Sequence, residues 1–457
     1  MIAQDCLTAA MHTGAMSPLD NPGADSDLPV LDGESAGSAK AGWRVCAIVL
    51  LLFIAAAALS AMRKDVTQGF DEVAHASYVA HLQHTGETWP AFAEMRMLDP
   101  SSFRFTGEAN FLNHPSPYYW LLARLGPVLE GHQQAILAHR LINVALTAIG
   151  LAALMAIGLA AGLPRLTLYA YVVPLACIPV LAPLAGAVNN DNAAFAGGAI
   201  ATLAAFQLLA TGSRAWLLAA LGGVILASWA KFTALLLAGG LVAGVLLWLL
   251  WRGRLPSRWT APIAIAALLA GAPYMAFVIQ YGSPTPATPG EIAMIEAGAH
   301  TAGWDSAERL RPLAFAMHFV SKFVLEWMPT LKPRNAVNYA ALAIPIAAAL
   351  CALAGIMVAV RRIARGQETP LDIVIASGAL AFAVTFLIHG IFGYRLHAEF
   401  GWLTTAYPRY YLPLAALLPL AGLALLGEIR TSSIRAILLV FLIVGPVLFR
   451  LLGEPLG

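Results

Sequence analysis

The stretch GFDEVAH, residues 69–75, sets two carboxylates side by side, Asp71 and Glu72, with His75 four residues after the first. Gly69 breaks the chain, and the fourteen residues after it contain neither Gly nor Pro, so a helix is expected to begin near Phe70. Both acids then fall in its first turn, where free N–H groups and the helix dipole favour negative charge. At helical spacing Asp71, His75, Tyr78 and Leu82 share one face, and a carboxylate four residues before a histidine can accept its N–H. Two readings stay open: a capping cluster on a surface helix, or a carboxylate poised as a general base.

Other polar residues recur at intervals along an apolar chain. NHPSPYYWLLA carries His114 ahead of Tyr118, Tyr119 and Trp120, aromatic types that often anchor a chain at a membrane interface. AHRLINV brings His139 and Arg140, the latter either functional or snorkelling to the headgroups. AGAVNNDNAAF holds Asn190 and Asp191 in a turn whose amides favour caps and tight bends. Lys231 in SWAKFTALL and Arg409 in YPRYYLPL, next to Tyr410, are costly beside hydrocarbon, and such residues are usually paired or functional.

The elements that must position these groups follow from composition. The 457-residue chain is 59% hydrophobic and 11% charged, against about 25% charged in water-soluble domains, and its mean hydropathy is +0.73. Apolar runs of about 20 residues, enough to cross hydrocarbon about 30 Å thick, mark an all-α polytopic membrane protein. About eleven spans are expected: 45–62, 135–161, 166–187, 192–210, 215–230, 232–251, 260–280, 338–360, 371–392, 408–427 and 434–453. The pair around Lys231 is split because 36 residues at ~1.5 Å each would overrun the bilayer. Residues 1–44 read as a disordered cytoplasmic tail, rich in Gly, Ser, Ala and acids. Residues 45–453 form the transmembrane domain, with external loops 63–134 and 281–337.

Orientation comes from charge. With the N-terminus in the cytoplasm, the short inner loops collect ten arginines, from Arg165 to Arg435, against Glu368 and Glu428. The two outer loops hold ten basic and thirteen acidic residues. Every polar group singled out above then lies at the outer face. The second loop adds the stretch LRPLAFAMHFVSKFVLEWMP, an amphipathic helix with Arg311, His318 and Lys322 on one face, expected to lie flat on the bilayer. Arginine outnumbers lysine 22 to 5 and alanine is abundant, which hints at a bacterium with GC-rich DNA, and the expected location is its plasma membrane.

These readings exclude several function classes. DEVAH satisfies the DExH helicase pattern, but ATP is absent from the outer face and no G-x-x-x-x-G-K-[ST] loop occurs. A net charge of +2 gives no basis for nucleic-acid binding. Four scattered cysteines form neither a disulfide framework nor a metal pattern. Asp71, Glu72, His75 and His114 could bind a divalent ion, but no fixed ligand spacing singles one out. What remains is an acid pair and several cations on one membrane surface. That combination fits a lipid-phosphate donor, bound by Arg and Lys, and a hydroxyl or amine acceptor.

In chain order, GFDEVAH after the first span, NHPSPYYWLLA, Arg140, VNNDN, AKFTAL and PRYYLPL resemble the GT-C superfamily of membrane glycosyltransferases. The branch they resemble holds the protein O-mannosyltransferases and the lipid A aminoarabinose transferases. The resemblance covers roughly residues 45–427. It departs at Ser116, where the family's H-P-P element has a second proline, and in DExxH replacing Asp-Glu-x-x-Tyr. It implies transfer of a sugar from a polyprenyl-phosphate donor to an envelope glycan, lipid or protein acceptor at the non-cytoplasmic face, usually with inversion and without an organic cofactor. It further implies Asp71 as base, Glu72 as companion acid and His114 as the histidine of the H-P-P element. Arg140, Lys231 or Arg409 would stabilise the departing phosphate; His75, Tyr118, Asn190, Asp191 and Tyr410 complete the expected binding set. Other readings are a polyprenyl-lipid flippase or transporter, and a non-catalytic membrane subunit that holds partners.

Overall fold

A computed structural model describes residues 37–297, 309–326, 336–401, 403 and 406–452. Residues 1–36 of the expected tail, and 298–308 and 327–335 of the second external loop, lie outside the described residues. The first helix, α1 (Gly37–Arg63), begins ahead of the apolar run. An extramembrane segment follows: α2 (Glu72–Thr85), a two-stranded antiparallel sheet of β1 (Arg96–Leu98) and β2 (Phe105–Ala109), and α3 (Pro117–Leu125). Next come α4 (Ile136–Ala160), α5 (Arg165–Ala176), α6 (Leu181–Ala185), α7 (Asp191–Thr211), α8 (Arg214–Ala230), α9 (Phe232–Trp251) and α10 (Thr260–Tyr281). The chain continues through α11 (Pro289–Glu296), α12 (Pro312–Glu326), α13 (Ala336–Ala364), α14 (Pro370–Phe400), α15 (Leu417–Glu428) and α16 (Ser432–Leu452).

Among the described residues eight helices are long and apolar enough to cross a membrane, or nine if the pair bent by 59° at Pro408–Leu414 and α15 counts as one span. The expected eleven are not all seen as long single helices among the described residues, for identifiable reasons. The run 166–187 breaks into α5 and α6 around Cys177 after an internal Pro174, which removes a backbone donor. At that break Arg450 Nη1 donates to the Pro179 carbonyl at 3.1 Å, satisfying a group that hydrocarbon would leave unpaired. The run 215–230 makes a helix of 17 residues, α8, and the chain breaks at Lys231, which is extended at φ −161°, ψ 142°.

Helix α7 is the hub, and small residues allow it to be. A Cβ on Gly223 of α8 would stand 2.6 Å from Ala201 N of α7, and one on Gly198 would stand 2.5 Å from Pro413 Cα. Backbones meet at these points, as small residues permit between helices in lipid. Gly240 and Gly244, four apart on α9, make room for the side chains of Ala381 and Ser377 of α14, each with an atom 2.8 Å from where a Cβ would stand. This close packing brings the N-terminus of α7, the break at Lys231 and the turn Pro408–Leu414 to one end of the bundle.

The extramembrane segment sits at that end. Ser77 Oγ of α2 accepts from Leu98 N at 2.8 Å, and Asn110 Nδ2 donates to Ala74 O at 2.9 Å. The second loop touches the first: Asn113 Nδ2 donates to Pro286 O at 3.0 Å. Helix α12 is held to α14 by the buried rings of Phe315 and Phe319, the former 5.4 Å from both Tyr394 and His397. Its other side, Leu313, Met317 and Val320, is exposed.

Candidate active site

The helix expected from Phe70 begins instead at Glu72, because Gly69, Phe70 and Asp71 all take left-handed conformations, with φ of 76°, 63° and 55°. Only glycine adopts that region freely, so two non-glycine residues there need outside support. Asn189 supplies it, donating from Nδ2 to the Phe70 carbonyl at 2.7 Å. The bend turns the two neighbouring carboxylates toward different cations.

Asp71 is the accessible one, its side chain 47% exposed, and its Oδ2 accepts from Arg409 Nη2 at 2.8 Å. Glu72 is wholly buried. It receives Arg140 Nε at 2.7 Å, Arg140 Nη2 at 2.8 Å and Val188 N at 2.9 Å, with Lys64 Nζ 3.5 Å away. The bidentate fork between Arg140 and Glu72 is the geometry in which such pairs are strongest. Arg140 Nη1 also donates to the carbonyls of Ala61 and Lys64, tying the end of α1 to α4. Arg140 therefore does not snorkel, and Glu72 has no free oxygen to offer a substrate.

The third acid, Asp191, begins α7 and is 2% exposed. Its Oδ1 receives Lys231 Nζ at 2.8 Å and its Oδ2 lies 3.5 Å from Arg409 Nε. Lys231 Nζ stands 3.4 Å from the centre of the Tyr410 ring, and Arg409 lies near the rings of Phe70, Tyr407 and Tyr410. These rings desolvate the cations and interact with them directly. Asp71, Arg409, Asp191 and Lys231 thus form one chain of charges across the bundle end, and Glu72 with Arg140 sits one residue away.

The His75 ring does not donate to the Asp71 carboxylate. Its Nδ1 meets Tyr119 Oη at 2.8 Å and its Nε2 meets Asn189 Nδ2 at 2.9 Å. Burial, reinforced by neighbouring His114, Lys231 and Arg409, pulls its pKa well below the usual histidine range and keeps the ring neutral. The His114 ring stacks 5.9 Å from it. Tyr118 and Tyr119 are buried, not interfacial anchors, and Tyr118 Oη donates to Asn143 Oδ1 at 2.7 Å. Trp120 is exposed. Asn190 Nδ2 donates to Ala230 O at 2.7 Å, which holds the end of α8 beside the turn.

The expected binding set included neither Asn143 nor Asn189 and Asn192, the outer asparagines of the expected turn. Asn192 Nδ2 donates to Asn143 Oδ1 at 3.0 Å, and its Oδ1 accepts from Thr147 Oγ1 at 2.8 Å. The signal was present, since Arg140, Asn143 and Thr147 recur three and four apart on one face of α4. Among the described residues no group of three or more His, Cys, Asp and Glu side chains converges as a metal site would require.

Fold and site together define a polytopic α-helical membrane protein with an acid–cation cluster at one end of its bundle. No protein-family model matches the chain, and no curated protein sequence matches it significantly. Similar solved structures include ArnT from Cupriavidus metallidurans bound to undecaprenyl phosphate, at 15% identity and a TM-score of 0.47. The same protein in the apo state is similar at 16% identity and a TM-score of 0.48. Each comparison covers 88% of this chain and 63% of the other, so the chain spans under two thirds of their length.

Proposed function

We propose that the chain is an integral-membrane glycosyltransferase that moves a sugar from a polyprenyl-phosphate donor to an envelope acceptor at the non-cytoplasmic face, with Asp71 as general base. The observation that carries this reading is the half-exposed Asp71 carboxylate, 2.8 Å from Arg409, in a cluster where Arg409 and Lys231 share Asp191. An acid that can take a proton thus stands beside cations that can receive a phosphate. The ordered motifs that resemble GT-C enzymes support the same reading.

In the proposed reaction the acceptor O–H bond breaks and its proton passes to Asp71. The acceptor oxygen forms a bond to the anomeric carbon from the side opposite the leaving group, inverting the centre. The bond from that carbon to the phosphate oxygen breaks, and the electron pair leaves with the polyprenyl phosphate. Arg409 and Lys231, partly desolvated by aromatic rings, stabilise that charge as it develops. Phosphate is a good leaving group, so no general acid is needed. Glu72 acts as a positioning residue, since both its oxygens are engaged by Arg140 and backbone.

The test is release of polyprenyl phosphate by purified protein in nanodiscs supplied with a panel of radiolabelled polyprenyl-phosphate sugars and an envelope extract. Asp71→Asn should lower release by about 10²-fold or more with an unchanged melting curve. Full turnover by that variant would remove Asp71 as base. A wild-type protein that carries labelled lipid across the membrane without consuming it would support the flippase reading instead.

A further inference from the structure

We propose that a cleft at the end of α1 binds the phosphate headgroup of an anionic membrane phospholipid. The cleft, about 240 Å³, is lined by residues that include Arg63, Lys64, Asp65, Gln133, Ile136 and Arg140. Asp71, Asp191, Lys231 and Arg409 do not line it, so it is a second site, independent of the transfer reading. Pockets for drug-sized ligands run to roughly 300–1,000 Å³; this one suits a headgroup.

Its depth fits a lipid. The apolar span of α1 ends at Arg63, and the span containing α4 begins at Gln133, which places the cleft where hydrocarbon gives way to headgroups. Beside it, Leu59 and Met62 of α1 and Leu137 and Leu141 of α4 are exposed, giving acyl chains an apolar bed on the same two helices. Basic pockets between spans at headgroup depth attract anionic lipids.

Its charge fits as well. Among the described residues Arg63 is exposed and has no hydrogen bond or ion pair, so its guanidinium is available. Lys64 and Arg140 add two further cations. Asp65 opposes them, but its Oδ1 already accepts from Thr67 N at 2.8 Å and Thr67 Oγ1 at 2.7 Å. With Glu72 counted behind Lys64 and Arg140, one positive charge remains over, and it resides on the free Arg63.

The donor's own phosphate is the rival occupant, and the geometry disfavours it. Lys64 and Arg140, the fixed cations of the cleft, are tied to buried Glu72, whereas Asp71 is tied to Arg409. A sugar phosphate seated in the cleft would address the carboxylate that has no free oxygen.

The experiment uses the full chain, delipidated in detergent, with native mass spectrometry and thermal melting as readouts. Dioleoyl phosphatidylglycerol should bind in a saturable, stabilising manner where dioleoyl phosphatidylcholine does not. Arg63→Ala should weaken phosphatidylglycerol binding about tenfold, as expected for one lost charge-assisted contact. The lipid-free melting temperature should stay unchanged, and Arg63→Lys should restore most of the affinity. Equal binding of the two lipids, or an Arg63→Ala variant that binds as the wild type does, overturns the assignment. Farnesyl phosphate forms the last arm: failure to displace phosphatidylglycerol supports the proposal, and displacement that depends on Arg63 overturns it in favour of the donor.

Discussion

Arg409 Nη2 lies 2.8 Å from Asp71 Oδ2, while Nε of the same guanidinium lies 3.5 Å from Asp191 Oδ2. One side chain therefore joins the accessible acid to the buried one. In the proposed reaction an arriving phosphate would compete with Asp71 for this guanidinium, and capture of Arg409 would leave the Asp71 carboxylate free to take a proton.

Lysine cannot reproduce that arrangement, because an ammonium is a single point charge and a guanidinium a planar fork. Arg409→Lys should lower transfer by about 10–100-fold, consistent with loss of one strong charge-assisted contact. Steady-state kinetics on the purified protein check this. A kcat within twofold of wild type would show that the fork is not needed.

Lys231 and Asp191 form a buried ion pair, with side chains 10% and 2% exposed. Removing Lys231 leaves buried Asp191 with only the longer contact to Arg409 at 3.5 Å, and breaking a buried pair costs up to about 3–5 kcal/mol. Lys231→Met should therefore melt well below wild type. The double variant Lys231→Met with Asp191→Leu should recover part of the loss, and a double-mutant cycle on melting midpoints measures the coupling.

Burial is the main cause that draws the Lys64 amine down from its ordinary 10.5 to about 8. Between those values the unfolded chain still holds the proton that the folded chain has released. Stability from this group therefore rises with pH between about 8 and 10.5 and is flat below 8. Thermal melts from pH 7.5 to 10 should display that rise, and Lys64→Met should flatten it.

Gly223 stands where a Cβ would meet Ala201 backbone at 2.6 Å. Gly223→Leu should force α7 and α8 apart, with overpacking costs of about 1–3 kcal/mol or more. It should also shift Asp191 away from Lys231, so that KM for the donor rises along with the loss of stability. A fall in melting temperature with unchanged kinetics would uncouple the helix packing from the site.

What the sequence alone determined is the class of molecule and the identity of its polar cast. Hydrocarbon tolerates few charges, so Asp71, Glu72, Arg140, Asp191, Lys231 and Arg409 were conspicuous by their surroundings. The break at Lys231 was legible because a helix through it would overrun the bilayer. Tertiary structure alone decided who pairs with whom. The sequence put Asp71 and Glu72 on one helical turn and Asp71 on one face with His75. In the folded chain the left-handed bend at Phe70 and Asp71 sends the two acids apart, one to Arg409 and one to Arg140. Those partners lie 338 and 68 residues away, and no local periodicity encodes such distances. The described residues show fewer than eleven long spans because composition measures apolarity, whereas Pro174, the extended backbone at Lys231 and the bend at Pro408–Leu414 decide where a helix stops. Burial had the last word on chemistry: two adjacent carboxylates of the same type became an accessible acid and a structural one because only one of them faces outward.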